Sequence, residues 1–209
     1  MNQKIYNLII LDESGSMGMI KESVIEGFKS LATKIISLSK EMTNQTHLVS
    51  LVTFGGDGVK NRLSLQPASE LSLISDKTYS PDGGTPLYDA ICKSVLMLRN
   101  ELYLEKDYGV LVTIITDGEE NASKLFKHSE TIKLIESASK DSRWGFGLIG
   151  AGINLAETAR SLSIPIERTI EFDHQNESVK NMFSRYQKAQ ERFSGCFAEG
   201  GDFDDGIPF

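Results

Sequence analysis

The apolar run Ile5-Tyr6-Asn7-Leu8-Ile9-Ile10-Leu11 breaks off at Asp12-Glu13-Ser14-Gly15-Ser16, and that junction limits what the chain can fold into. A short apolar run bounded by a turn reads as a buried strand. Three oxygen-bearing side chains at alternate positions, Asp12, Ser14 and Ser16, then leave its end together. Carboxylate and hydroxyl oxygens suit hard cations such as Mg²⁺, Mn²⁺ or Ca²⁺ and suit soft metals poorly. Gly15 lets the backbone turn tightly enough to aim them at one point. Taken alone, the segment also reads as a polar turn in which Ser14 or Ser16 caps the next helix.

Two distant segments favour the cation. In Asp82-Gly83-Gly84-Thr85-Pro86-Leu87 a glycine pair presents one hydroxyl just before a helix whose first turn can accommodate Pro86. Thr116-Asp117-Gly118 follows the apolar run Val110-Leu111-Val112-Thr113-Ile114-Ile115. Each lies where a parallel strand or its loop would end, and open α/β sheets collect ligand-binding groups at that edge. Together, Asp12-x-Ser14-x-Ser16, Thr85 and Asp117-Gly118 resemble the metal-ion-dependent adhesion site of von Willebrand factor A domains over roughly residues 3–197. The resemblance implies a six-stranded, mostly parallel sheet wrapped by helices, with one divalent cation at the carboxyl edge. It implies that Ser14, Ser16 and Thr85 contact the ion directly or nearly so, and that Asp12 and Asp117 act directly or through water. A carboxylate from a partner protein would take the open position. Mg²⁺ is the expected ion, with Mn²⁺ or Ca²⁺ as alternatives.

The periodicity agrees with a doubly wound α/β fold, mostly parallel, with helices on both faces and one antiparallel edge strand. Ile20, Val24, Phe28, Leu31, Ile35 and Leu38 recur at helical spacing. Residues 47–54 and 59–65 read as two strands joined through Gly55-Gly56-Asp57-Gly58, a hairpin turn. A polar connection of residues 66–85, with one helical turn near residues 70–74, is long enough to need a functional reason, which Thr85 supplies. Helices are expected over Leu87 to Leu102, residues 130–140 and 156–162, strands over 109–116, 144–149 and 169–172. The amphipathic stretch Val179, Met182, Phe183, Tyr186, Phe193 and Phe197 completes the pattern.

Other chemistries find little support. Gly150-Ala151-Gly152 follows a strand, but Leu155 stands where a dinucleotide fingerprint needs its third glycine. His47, His128 and His174 lack metal-ligand spacing and read as surface or satisfied polar residues. A phosphatase using Asp12 as nucleophile would want an acid where Ser14 stands. The site therefore reads as a binding site, not an enzyme's. Glu13, Glu119 and Glu120 read as solvated loop carboxylates beside it. Cys92 and Cys196 read as buried free thiols. No segment is long and apolar enough to span a bilayer and no secretory leader is evident, so a cytoplasmic location is expected.

Residues 1–198 are expected to form the domain and residues 199–209 a flexible acidic tail. The tail, Asp202-Phe203-Asp204-Asp205-Gly206-Ile207-Pro208-Phe209, resembles the C-terminal tip of bacterial single-stranded DNA-binding proteins, with Gly206 in place of an expected Asp. That resemblance implies a recruiting peptide read by proteins with an apolar pocket and a basic rim, and so a bacterial or phage protein linked to DNA maintenance. The alternatives are a scaffold of a stress or tellurium-resistance module with an incidental tail, or a metal-dependent phosphohydrolase. Glu199, Asp202, Asp204 and Asp205 carry four of the chain's net −7 charges, and neither part is basic, which argues against direct contact with nucleic acid.

Overall fold

Strand β1 (Gln3–Glu13) lies inside a six-stranded sheet, in a computed structural model that describes residues 3–71, 74–151, 154–173 and 175–198. A 3-10 turn (Gly15–Ile20) leads into helix α1 (Lys21–Glu41), so the helix predicted from Ile20 is preceded by a separate, tighter turn. The hairpin β2 (Gln45–Gly55) and β3 (Gly58–Pro67) follows, then helix α2 (Leu87–Glu101), strand β4 (Tyr108–Thr116), helix α3 (His128–Ser139) and strand β5 (Trp144–Gly150). Helix α4 (Leu155–Ser161), strand β6 (Thr169–Glu171) and helix α5 (Asn176–Ala198) close the chain's described part. The tail residues Asp202 to Asp205 and Ile207 to Phe209, His174 and Gly152 lie outside the described residues.

The strand order is β3-β2-β1-β4-β5-β6, parallel throughout except for β2 with β3. This is the mostly parallel, doubly wound sheet with an antiparallel edge that the sequence pattern predicts. The alternation along β1 explains the layering. Ile5, Ile9 and Leu11 face the core under α1 and α5, which supply Phe28, Leu31, Phe183 and Tyr186. Tyr6, Leu8 and Ile10 face the opposite core under α2, α3 and α4, with Ile91, Ile135 and Ala159. Because β1 and β4 are neighbours in register, Leu11 opposite Ile115, their carboxyl ends place Asp12 beside Thr116 and Asp117.

The long connection is fastened to that same edge. Asp82 N–H donates to the Glu13 carbonyl at 2.9 Å, and Gly15 N–H to the Gly83 carbonyl at 3.0 Å. Among its described residues a 3-10 turn sits at Ala68–Glu70, while part of the turn expected near residues 70–74 lies outside the described residues. Pro86 stands just before α2, not within its first turn, and its carbonyl accepts the Ala90 N–H. Cys92 is buried and Cys196 half-buried, and neither is in a disulfide.

His47 departs from expectation: it is buried on β2, and its Nε2 has no hydrogen-bond partner among the described residues. Burial pushes its imidazole down to about 4. An unfolded chain therefore binds a proton between pH 6.5 and 4 that the fold refuses, and stability present above pH 6.5 is lost as pH falls toward 4. The loss amounts to about 3 kcal/mol at 1.36 kcal/mol per unit. His47→Phe is expected to remove that slope in urea melts at pH 4.5 and 7; an unchanged slope would assign it elsewhere.

Candidate metal centre

Asp12 is fully buried, and both of its carboxylate oxygens are engaged. Ser14 N–H donates to Oδ1 at 2.7 Å and the Thr116 hydroxyl donates to Oδ2 at 2.6 Å. Burial pushes the carboxyl up to about 6, aided by the nearby Asp117 charge and opposed by those two donors. Tyr79, also buried, donates its hydroxyl to the Asp12 carbonyl at 2.7 Å, and burial holds its phenol well above its ordinary value, so it remains a donor.

From this buried floor the oxygens rise toward solvent. Ser16 is exposed; its hydroxyl donates to Asp117 Oδ1 at 2.6 Å and lies 3.3 Å from the Ser14 hydroxyl. Ser14 starts the 3-10 turn, yet its side chain makes no capping hydrogen bond, which leaves the hydroxyl for another partner. Thr85 joins from the third segment. A Cβ built on Gly118 would stand 3.2 Å from Thr85 Oγ1 and 4.0 Å from Ser16 Oγ, so both hydroxyls border the small space that this glycine leaves open. Asp12, Ser14, Ser16, Thr85 and Asp117 thus gather at the carboxyl edge of β1 and β4.

Several supporting residues carry no spacing signal in the sequence. Thr116 holds Asp12 and ties back to Gly118 through its carbonyl at 3.0 Å. Asn121 Oδ1 accepts the Thr85 N–H at 2.8 Å. Asp89 accepts the N–H groups of Lys124, Leu125 and Phe126, which pins the loop after β4 to α2. Of the carboxylates expected to be solvated, Glu119 is exposed, but Glu120 accepts from Tyr88, Ala122 and Ser123 N–H.

Glu13 corrects the expectation most clearly. It is buried, paired with Arg62 at 2.8 Å, and accepts the Ser80 N–H at 2.6 Å. Burial raises its carboxyl, but Ser80 and Arg62 more than reverse that and hold it below its ordinary value. Alternation in the strand turns Glu13 away from Asp12 and Ser14, toward the hairpin. Arg62→Met would leave the carboxylate buried and unpaired, at an expected loss of about 2 kcal/mol in thermal or urea unfolding. A loss below about 0.5 kcal/mol would mark the pair as surface-like.

The donor set decides which ion fits. Among the described residues no three His, Cys, Asp or Glu side chains gather as a metal cluster. The centre instead combines two carboxylates with three hydroxyls, hard oxygens of low total charge, suited to Mg²⁺, Mn²⁺ or Ca²⁺ and unsuited to Zn²⁺.

Two clefts flank it. One, of about 320 Å³, is lined by Tyr88, Glu119, Glu120, His128 and Glu157, with the Tyr88 and His128 rings 5.5 Å apart. The other, of about 480 Å³, runs over Gly55, Gly56 and Gly84 to Pro86, Lys93 and Lys124. Met19 and Leu125 are 71% and 63% exposed. Among the described residues no helix is long and apolar enough to cross a membrane.

No protein-family profile matches the sequence, and no curated protein matches it. Solved structures do. The PilB minor pilin from Streptococcus sanguinis is similar at 14% identity and a TM-score of 0.60, over 93% of this chain and 62% of that one. The chain therefore spans less than two thirds of that pilin's length. The SpRpn10 VWA domain is similar at 12% identity and a TM-score of 0.55, over 86% of this chain and 94% of that domain. The manganese-loaded Plasmodium vivax TRAP protein is similar at 17% identity and a TM-score of 0.54, over 89% and 74% of the two chains. At such identities the likeness is one of fold, and the fold is von Willebrand factor A-like.

Proposed function

We propose that this chain is a metal-dependent protein-recognition module, in which Asp12, Ser14, Ser16, Thr85 and Asp117 hold one Mg²⁺, with Mn²⁺ or Ca²⁺ as alternatives. The observation that carries the reading is the meeting of two carboxylates and three hydroxyls from three distant segments at the carboxyl edge of β1 and β4, linked from Asp12 through Ser14 and Ser16 to Asp117, with Thr85 and Ser16 bordering the space at Gly118. Both Asp12 oxygens already accept protein hydrogen bonds, which supports a role for that carboxylate through water. With so few charged donors in contact, a bound ion supplies an electrophilic position for a partner's carboxylate. Ser14, Ser16 and Thr85 orient that position, Asp12 and Asp117 balance its charge, and Tyr79 and Thr116 keep Asp12 in place. The manganese carried by one solved neighbour supports a divalent ion without choosing among them.

Residues 202–209 belong to the same proposal as a recruiting peptide. Their carboxylates and aromatic rings suit a basic surface with apolar walls, the kind of surface by which DNA-maintenance proteins would read such a segment. We hold the function to be binding, not turnover, and the compartment to be the cytoplasm. A scaffold role in a stress-resistance module would use the metal face alone.

Calorimetric titration tests the metal reading. One equivalent of Mg²⁺ is expected to bind, and Thr85→Ala to weaken it about tenfold to a hundredfold while leaving the melting temperature nearly unchanged. Unchanged affinity in Thr85→Ala would remove that residue from the site.

A further inference from the structure

We propose that Asn121 is a positioning residue that sets how the metal site discriminates ions by size. The proposal rests on the reading of Asp12, Ser14, Ser16, Thr85 and Asp117 as a metal site. Asn121 stands four residues after Asp117 and clasps both backbone polar groups of Thr85. Its Oδ1 accepts the Thr85 N–H at 2.8 Å, and its own N–H donates to the Thr85 carbonyl at 3.2 Å. The first of these bonds belongs to the side chain. Thr85 follows Gly83 and Gly84, and glycine backbone turns more freely than any other, so Oδ1 fixes the residue on that side. Gly84 leaves the room for it, since a Cβ there would stand 2.7 Å from Oδ1.

The clasp joins two of the three segments into one body. Tyr88 N–H donates to Glu120 at 2.9 Å and Asp89 N–H to the Ser123 hydroxyl at 3.0 Å, so the loop after β4 caps the first turn of α2. Asp89 in turn accepts the N–H groups of Lys124, Leu125 and Phe126 from that loop. The backbones that carry Thr85 and Asp117 are thereby held at a set separation. Ser14 and Ser16 differ, since they meet each other and Asp117 through hydroxyls that turn to suit a partner. Mg²⁺ needs near-octahedral oxygens at about 2.1 Å, whereas Ca²⁺ accepts looser geometry at about 2.3 to 2.6 Å. Loss of the fixed separation therefore harms Mg²⁺ binding more than Ca²⁺ binding.

Calorimetry with Mg²⁺ and with Ca²⁺ on the full chain, on Asn121→Ala and on Asn121→Asp tests this. Asn121→Ala is expected to weaken Mg²⁺ about tenfold or more and Ca²⁺ less, lowering the ratio of the two affinities about threefold or more. Asn121→Asp keeps an acceptor for the Thr85 N–H. Its added charge acts on two ions of equal charge, so the ratio is expected to return to the wild-type value. Hydrogen exchange in EDTA reads the clasp with no ion present: the Thr85 amide is expected to lose protection in Asn121→Ala and to keep it in Asn121→Asp. Unchanged Mg²⁺ affinity, an unchanged ratio or unchanged Thr85 protection in Asn121→Ala would overturn the positioning role and leave the metal reading standing. So would a ratio that Asn121→Asp fails to restore. Absence of Mg²⁺ binding to the wild type would overturn the metal reading and this proposal with it.

Discussion

Asp12→Asn is expected to stabilise the metal-free chain and to abolish its response to Mg²⁺. The Asp12 carboxyl lies near 6 in the fold against 3.8 for an ordinary Asp. A raised carboxyl binds its proton more tightly in the folded state. Its contribution is therefore most favourable at low pH and is lost as pH rises through 6, a cost of about 3 kcal/mol at pH 7. Asparagine keeps the shape, accepts the Ser14 N–H, and meets a Thr116 hydroxyl that can turn its proton to the Gly118 carbonyl 3.0 Å away. Urea melts in EDTA at pH 7 should show a gain approaching that figure. In Mg²⁺ at a hundred times its Kd, the wild type gains about 2.7 kcal/mol and the variant nothing. A variant less stable than wild type in EDTA would make Asp12 a structural residue. The opposing slope from buried His47 partly masks this effect in wild-type pH scans, so the comparison belongs at fixed pH.

Gly83→Ala is expected to damage fold and site together. Gly83 has φ +68°, and a Cβ there would stand 2.3 Å from the Gly56 Cα, backbone against backbone. Neither segment can yield cheaply, since Gly56 N–H also donates to the Asp82 carbonyl at 2.7 Å. Left-handed strain and the displaced loop together cost about 2 to 3 kcal/mol, and Thr85, two residues on, moves with the loop. Mg²⁺ affinity is expected to fall about tenfold or more. Gly58→Ala is the control: φ is +84°, but nothing stands within 4 Å of the added carbon. It should lose about 1 kcal/mol and bind Mg²⁺ normally. Equal metal affinity in the two variants would mean that the junction of the hairpin turn with the 82–84 loop does not position Thr85.

What could be read from the sequence followed from local periodicity. The unbroken apolar run Ile5 to Leu11 predicts a buried strand, and its residues divide between two cores; the glycine turn at residues 55–58 predicts the hairpin. Asp12 and Asp117 were legible as neighbours because each ends an apolar run, and parallel strands end together. The supports were not legible. Tyr79, Asn121 and Arg62 reach the site across 67, 36 and 49 residues of chain, and no spacing rule marks such contacts. Glu13 looked like a loop carboxylate because its partner lies on another strand. His47 read as a surface or satisfied polar residue because one residue type in a strand does not reveal which of its positions are covered by packed helices.

The central claim is that three distant segments hold one cation, and amide shifts on adding Mg²⁺ to the full chain test it most directly. Saturable shifts confined to residues 12–19, 83–86 and 116–121, absent in Asp12→Asn, are the predicted result. Shifts scattered over the acidic surface, or unchanged in that variant, would contradict it.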